Sequence, residues 1–226
     1  MRILGIDPGL NITGYGLLEI NGSNFRNEPA LLEAGVIKTQ PNLTLAQRVN
    51  RIYKGIKEIL DEFQPQVLVL EELYSHYRHP RTAILMGHAR GVITLAAEEK
   101  NISLVGYSPS RIRKALLGQG NATKEQVQRM IQHLLGLSRP PQPEDISDAL
   151  ALALAYVHIE RSAVLRKPRV RLRSPLTLSE VEGSSADKRK FYPRPSACPP
   201  RRARLAAKPR AFGETGNLRK SAFLKR

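Results

Sequence analysis

Four acidic residues hold positions that suit a catalytic site. Asp7 and Glu71 each end a short apolar run that predicts a buried strand. Asp145 and Asp148 lie three residues apart in a helical pattern, a spacing that places both carboxylates on one face of a helix. If the two strands are neighbours and the helix packs beside their ends, the four carboxylates converge. Only four aspartates occur in residues 1–160, and three of them belong to this set.

Converging carboxylates predict a metal site. They repel one another and resist ionisation unless divalent cations neutralise them. The set offers only hard oxygen ligands, with no cysteine and no compact histidine cluster nearby, which favours Mg²⁺ or Mn²⁺ over Zn²⁺. Two such ions can activate a water molecule, hold a scissile phosphate and stabilise the leaving 3′ oxygen. The pattern therefore predicts phosphodiester hydrolysis with water as the nucleophile, with Mg²⁺ as the cofactor and Mn²⁺ as a substitute.

Each acid taken alone has an ordinary structural explanation. Asp7 precedes a Pro-Gly pair and is a common turn former. Glu71 can be a solvated strand end, and Asp145 can cap the last helix, where the helix dipole favours an acid. Only the joint pattern favours catalysis.

The elements that must position these acids follow from the hydrophobic pattern. Strands are predicted at residues 2–6, 13–20, 30–39, 67–70 and 102–105, and helices at 44–63, 81–99, 109–117, 123–135 and 144–159. Thr44 and Gln47 are spaced as a capping box at the start of the first helix. The order β-β-β-α-β-α-β-α-α-α predicts an α/β fold with a mixed five-stranded sheet flanked by helices.

The formal charge of +16 is unevenly distributed. Residues 161–226 hold 19 Lys and Arg against 4 Asp and Glu, whereas residues 1–160 hold 17 against 16. The basic segment is rich in Pro and Ser and has little periodicity, which is typical of disorder. We therefore predict a folded domain at 1–160 and a disordered basic extension at 161–226, which either binds DNA nonspecifically or has no selected role.

The start of the chain lacks the long hydrophobic core of a signal peptide or a membrane span. The single cysteine, Cys198, excludes a disulfide framework and fits a reducing compartment. We therefore expect a cytoplasmic protein.

Several motifs, in order along the chain, resemble those of the RuvC-type Holliday junction resolvases. They are Ile3-Leu4-Gly5-Ile6-Asp7-Pro8-Gly9, Thr13-Gly14-Tyr15-Gly16, Leu70-Glu71-Glu72-Leu73-Tyr74, Gly87-His88-Ala89-Arg90-Gly91, Gly118-Gln119-Gly120 with Lys124 and Gln126-Val127-Gln128, and Asp145-Ile146-Ser147-Asp148-Ala149-Leu150-Ala151. The match covers about residues 1–159. It implies a ribonuclease-H-like fold and an endonuclease of DNA recombination and repair. Such an enzyme resolves four-way junctions by paired symmetric nicks that leave 5′-phosphate and 3′-hydroxyl ends.

The resemblance also implies which residues bind the metal ions and carry out catalysis: Asp7, Glu71, Asp145 and Asp148. Glu72 is the alternative to Glu71. The family pattern of Glu, any residue, apolar, aromatic fits Glu71, whereas the spacing to Gly87 fits Glu72 if no insertion lies between.

Five residues are expected to contact DNA: Tyr74, Arg78, Arg81, Arg113 and Lys124. Tyr74 matches a family position where an aromatic ring stacks on bases opened at the junction, worth about 1–3 kcal/mol per base; a half-buried core tyrosine is the alternative. Arg113 and Lys124 match basic positions near the cleaved strand, although solvated helix faces also explain them. The segment 74–81 interleaves aromatic and basic residues as a DNA-facing loop should, and a zinc site at its His76 and His79 is the weaker interpretation.

The resemblance further implies a homodimer, because a two-fold protein matches a four-way substrate. The small residues around Gly87 and Gly91 are a candidate contact, with close packing on the sheet as the alternative. The RuvA and RuvB branch-migration proteins are the implied protein partners.

Two other functions compete with a nuclease. An actin-like ATP-binding protein can share the Gly-Ile-Asp-Pro-Gly turn, but it needs a second phosphate loop and a second lobe that about 160 structured residues do not supply. A junction-binding protein without catalysis would use the basic extension, and the presence of all four acids argues against it.

Overall fold

The computed structural model describes residues 1–22, 25, 27–72 and 80–166, with backbone alone at 80–81 and 220–221. These residues belong to one compact unit that comprises Met1–Lys167 and Gly216–Arg226. The predicted extension therefore lies largely outside the described residues. In the described part of the chain, no helix combines the length and the apolar character needed to span a bilayer.

Five main strands form a mixed sheet, as predicted. They are β1 (Arg2–Asp7), β2 (Ile12–Glu19), β3 (Ala30–Lys38), β4 (Val67–Glu71) and β5 (Ser103–Tyr107), and a two-residue strand, β6 (Lys220–Ser221), adds to the edge at β3. The order is β5-β4-β1-β2-β3-β6. β1 pairs antiparallel with β2 and parallel with β4, which pairs parallel with β5. The two strands that end in the candidate acids are therefore neighbours.

Five helices flank the sheet: α1 (Leu45–Phe63), α2 (Pro80–Glu99), α3 (Pro109–Leu117), α4 (Lys124–Leu134) and α5 (Glu144–Arg166). The capping box predicted at Thr44 and Gln47 is present. A second capping box, at Thr123 and Gln126, begins α4. α5 continues seven residues beyond the predicted end at Ile159, because none of these residues is buried and they lack the apolar face by which the rest of the helix was predicted.

The two faces of the sheet are covered by different helices. One core cluster joins the sheet to α3, α4 and α5, and it includes Ile3 of β1 and Val69 of β4. The other joins the sheet to α1 and α2, and it includes Ile6 and Leu70. Because successive side chains of a strand point to opposite faces, the side chain that follows Ile6 or Leu70 points toward α5.

α5 packs unusually close to β1 and β2. A Cβ atom at Gly5 would overlap the backbone carbonyl oxygen of Ala149, and one at Gly14 would overlap that of Asp145. Helix backbone cannot yield as a flexible side chain can, so only glycine fits at these two strand positions. The glycines fix how near the start of α5 lies to the end of β1.

We predict that Gly5→Ala lowers the free energy of unfolding by about 1–3 kcal/mol, the usual cost of overpacking a core, because α5 must move away from the sheet. Urea unfolding followed by circular dichroism measures this. Gly106→Ala in β5 is the matched control, since its Cβ would meet only the side chain of Glu72, at 3.1 Å. Equal unfolding midpoints for the two variants would contradict the prediction.

Candidate active site

Asp7 and Glu71 are the last residues of β1 and β4. The two strands run parallel, with Ile6 paired to Leu70. The acids that follow this pair therefore stand side by side at the carboxyl ends of the strands, and both point toward α5. This is the arrangement that the positions of the acids predicted.

Asp145 and Asp148 lie in the first turns of α5, which begins at Glu144. Asp7 pairs with Gly14 of β2, and Gly14 is where the backbone of Asp145 touches the sheet. The close contact between helix and sheet thus brings the start of α5 to the end of β1. The positive end of the helix dipole also favours carboxylates there.

Glu71 and Glu72 point to opposite sides of the sheet. Glu71 lines a pocket together with Asp148. The Glu72 side chain instead lies against Gly106 of β5, and its charge acts on Arg90 of α2 more than that of Glu71 does. Of the two, Glu71 is the one that shares the pocket with Asp148 of α5.

The four acids influence one another strongly. Burial, followed by the charges of Asp148, Glu71 and Asp145 in that order, raises the pKa of Asp7 to about 7. Burial is also the largest cause of the raised pKa of Glu71, with Asp148 next, and it raises the pKa of Asp148 against the opposing effect of Lys124. Desolvation and like charge both disfavour ionised carboxylates, so this pocket favours a cation.

Three basic side chains partly balance these acids. The Lys124 ammonium lies 3.4 Å from Oδ2 of Asp148 and 3.6 Å from Oε2 of Glu144. Arg113 lines the same pocket and donates a hydrogen bond to the carbonyl oxygen of Gly120 at 3.3 Å. Arg90 donates from Nη1 to the backbone carbonyl oxygen of Glu71 and so holds the end of β4 from the α2 side.

The donor set fits a hard divalent cation. Its ligands are carboxylate oxygens, and burial, followed by like charge, raises the pKa values of Asp7, Glu71 and Asp148. Among the described residues, no three His, Cys, Asp or Glu side chains already form a ready-made coordination sphere. The acids act on one another across the pocket, and a cation between them would relieve the repulsion.

The structure brings together six of the predicted site residues and leaves three without a described side chain. The six around the pocket are Asp7, Glu71, Asp145, Asp148, Arg113 and Lys124. Tyr74 and Arg78 lie outside the described residues, as do His76 and His79 of the alternative zinc site. Arg81 lies in α2, but its side chain is not described.

Two residues of the site were not predicted. Glu144 shares Lys124 with Asp148, and it was hidden by its ordinary position at a helix start. Arg90 occurred in a recognised motif, but its contact with the end of β4 depends on how α2 packs on the sheet. Hydrophobic periodicity does not carry that information.

Comparisons with known proteins agree with this geometry. The family described as "Crossover junction endodeoxyribonuclease RuvC" matches residues 3–156. A protein of that name from Rhodopirellula baltica is 45% identical over 162 residues, covering 72% of this chain and 89% of the relative. Another from Caldicellulosiruptor saccharolyticus is 40% identical over 166 residues, covering 73% and 96%.

Solved structures give the same result. Thermus thermophilus RuvC superposes with a TM-score of 0.67 and 35% identity, covering 73% of this chain and 98% of that one. The same protein in complex with a Holliday junction substrate superposes with the same score and identity, covering 73% and 97%. The yeast mitochondrial Holliday junction resolvase shares the fold, with a TM-score of 0.52, 15% identity, and coverage of 72% and 82%. The predicted ribonuclease-H-like fold is confirmed.

We predict that the metal-free protein is less stable at pH 8 than at pH 5, and that Asp7 is a principal cause. The pKa of Asp7 is raised from 3.8 to about 7 in the folded protein. The protonated side chain is therefore favoured by folding, and its stabilising contribution is full below about pH 4 and lost as the pH rises toward 7. The loss is on the order of 2 kcal/mol. Urea unfolding in EDTA at the two pH values measures it.

Asp7→Asn should flatten this pH dependence, because an amide does not titrate. Asp61→Asn is the matched control, since Asp61 is 53% exposed and lies outside the pocket, paired with Lys100. Asp61→Asn should keep the pH dependence of the free energy of unfolding seen in the wild type. If Asp7→Asn kept it too, the assignment of this dependence to Asp7 would be wrong.

Proposed function

This chain belongs to the RuvC family of crossover junction endodeoxyribonucleases and is a Holliday junction resolving endonuclease; we propose that Asp7, Glu71, Asp145 and Asp148 form its catalytic centre. It acts in DNA recombination and repair. We propose that it makes paired symmetric nicks and leaves 5′-phosphate and 3′-hydroxyl ends.

One observation carries the assignment of the centre. Burial, followed by the charges of carboxylates from the adjacent strand end and from the start of α5, raises the pKa of Asp7 to about 7. A fold gains no stability from this repulsion. Such perturbed groups in a pocket are typical of functional sites, and a cation is what these groups would bind.

Nucleases of this family depend on a metal ion. We propose Mg²⁺, two ions per site, held by the four acids, with Mn²⁺ as a substitute, because all the donors are carboxylate oxygens. The metal, when bound, supplies polarisation of the phosphodiester and a lowered pKa for water.

The basic residues of the pocket have a separate role in this proposal. Lys124 and Arg113 stand beside the acids and would bind the phosphate of the cleaved strand, where their charge offsets the negative charge that grows during reaction. Arg90 would keep the Glu71 carboxylate in place through the carbonyl oxygen it contacts.

Contacts to the bases are assigned to the segment that follows β4. We propose that Tyr74 stacks on opened bases and that Arg78 and Arg81 bind nearby phosphates. The support is the sequence resemblance and the place of this segment in the sequence, shortly after Glu71.

We further propose that the protein is a homodimer that uses an exposed face of α2. Ile84 and Leu95 on this helix are 63% and 52% exposed, and a Cβ at Gly87 or Gly91 would meet no atom within 4 Å. The alternative, that these glycines serve close packing on the sheet, is therefore disfavoured. Residues at spacings of three, four and seven share a helix face, so these four positions form one open surface.

The rest of the proposal concerns the domain organisation, the protein partners and the compartment. The nuclease domain comprises residues 1–160 and the last turns of α5, and the basic segment beyond it is an extension. The RuvA and RuvB branch-migration proteins are its proposed partners, by family resemblance. The proposed compartment is the cytoplasm, where a bacterial-type enzyme meets chromosomal DNA.

We predict that Asp7→Asn reduces cleavage of a synthetic four-way junction in Mg²⁺ by at least about 100-fold, while junction binding stays equal or becomes tighter. The reason is that the variant lacks one metal ligand and one negative charge beside the phosphate. Nicks are measured on denaturing gels and binding by mobility shift. Cleavage by this variant at the wild-type rate would refute the site. A wild type that shifts the junction without nicking it would favour the non-catalytic binding protein.

The adjacent glutamates provide a matched pair for the same assay. Glu71→Gln should abolish cleavage as Asp7→Asn does, because Glu71 lines the pocket. Glu72→Gln should keep cleavage within a few fold of wild type, since its side chain lies on the other side of the sheet. The reverse outcome would transfer the role to Glu72.

We predict that the double variant Ile84→Glu/Leu95→Glu converts the dimer to a monomer, because it places charges in an apolar contact. Light scattering after size exclusion measures the mass. The control is Leu32→Glu/Leu45→Glu, which changes two leucines with 37% and 40% exposure outside α2. A wild type that is monomeric at every concentration tested would refute the dimer, and dissociation by the control alone would place the contact elsewhere.

A further inference from the structure

A basic groove lies between α3 and the second half of α5. Its lining residues are Arg111, Lys114, Ala115, His158, Ile159, Ser162, Ala163 and Arg166. Three of them are cations with exposed side chains: Arg111, Lys114 and Arg166. No acidic residue is among the described residues that line the groove.

The three groove cations contrast with the basic residues that form ion pairs. Some of the described lysines and arginines are paired with acids, such as Lys57 with Glu99 at 3.0 Å and Arg2 with Glu19 at 3.1 Å. Within the part of the chain that the structure describes, none of the three groove cations takes part in an ion pair. A group of cations without an ion-pair partner in a groove is an attractive site for an anion.

The groove is also shaped for an extended anion. The Arg111 guanidinium lies 4.7 Å from the centre of the Tyr107 ring, a cation–π contact that holds it in place. Small side chains, Ala115, Ser162 and Ala163, also line the groove and leave room for a close approach. Burial and the charge of Arg161 lower the pKa of His158, so the charge of the groove comes from its arginines and lysine.

The groove is separate from the catalytic pocket. The pocket is lined by Arg113 of α3 and Asp148 of α5, whereas the groove uses other residues of the same helices. From Asp148 to Ser162 the axis of α5 rises by about 21 Å, at about 1.5 Å per residue. A DNA strand advances about 3.4 Å per nucleotide, so an arm that runs along α5 covers this distance in about six base pairs.

We propose that this groove binds the phosphate backbone of a junction arm, about six base pairs from the scissile phosphate. The inference rests on the proposed function and deepens it. Phosphate contacts of this kind set orientation and carry no base preference. With one contact at the cleavage pocket and a second along the arm, the protein fixes both the position and the direction of the arm.

The test uses the full-length protein and a four-way junction in EDTA, which prevents cleavage during binding. Arg111→Gln/Lys114→Gln should raise the junction Kd and reduce the slope of log K against log salt by about 1 for each phosphate that the variant no longer binds. Lys38→Gln/Lys54→Gln is the matched control, since it removes the same charge from exposed positions outside the groove, and it should leave the slope unchanged.

The position of the contact is tested with uncharged methylphosphonate linkages five to seven nucleotides from the cleavage site in every arm. They should weaken binding of the wild type and have little further effect on the groove variant. Equal weakening of both proteins, or a groove variant that binds like the control, overturns the groove contact and leaves the nuclease assignment intact. A wild type that does not bind the unmodified junction overturns both.

Discussion

The close packing of α5 on β1 and β2 is the constraint on which the rest of this structure depends. Gly5 and Gly14 leave no space for a Cβ between sheet and helix. Because of this contact, the start of α5 lies at the carboxyl ends of β1 and β4. Two of the four acids are carried by the helix and two by strands, so the geometry of the site is set by a backbone contact and not by the acids themselves.

Bringing these acids together carries an energetic cost that other parts of the fold must offset. Burial and like charge raise the pKa of Asp7 to about 7, and each unit of such a shift corresponds to about 1.4 kcal/mol between the two protonation states. The cost is offset by a continuous apolar sheet covered on both faces and reduced locally by Lys124. A cation would relieve it further, so the ion that serves catalysis also stabilises the site.

Much of this architecture was predictable from local patterns. The element order, the first capping box and the convergence of Asp7, Glu71, Asp145 and Asp148 follow from periodicity and from the positions of acids at strand ends. The choice between Glu71 and Glu72 remained open, because it depends on which face of β4 each residue occupies and on the pairing of Ile6 with Leu70. The contact of Arg90 with the end of β4 was equally hidden, since the packing of α2 decides it.

The distribution of charge explains how a nearly neutral domain can prefer branched DNA. A uniformly basic surface would bind any duplex, because such affinity grows with the number of phosphates neutralised. Here residues 1–160 hold almost equal numbers of acidic and basic residues. Several of the lysines and arginines that the structure describes form ion pairs with acidic side chains. In the proposed mode of binding, cations at the pocket and in the groove form a few phosphate contacts at fixed spacing. A substrate must place several phosphates at those points together, which selects DNA by its shape.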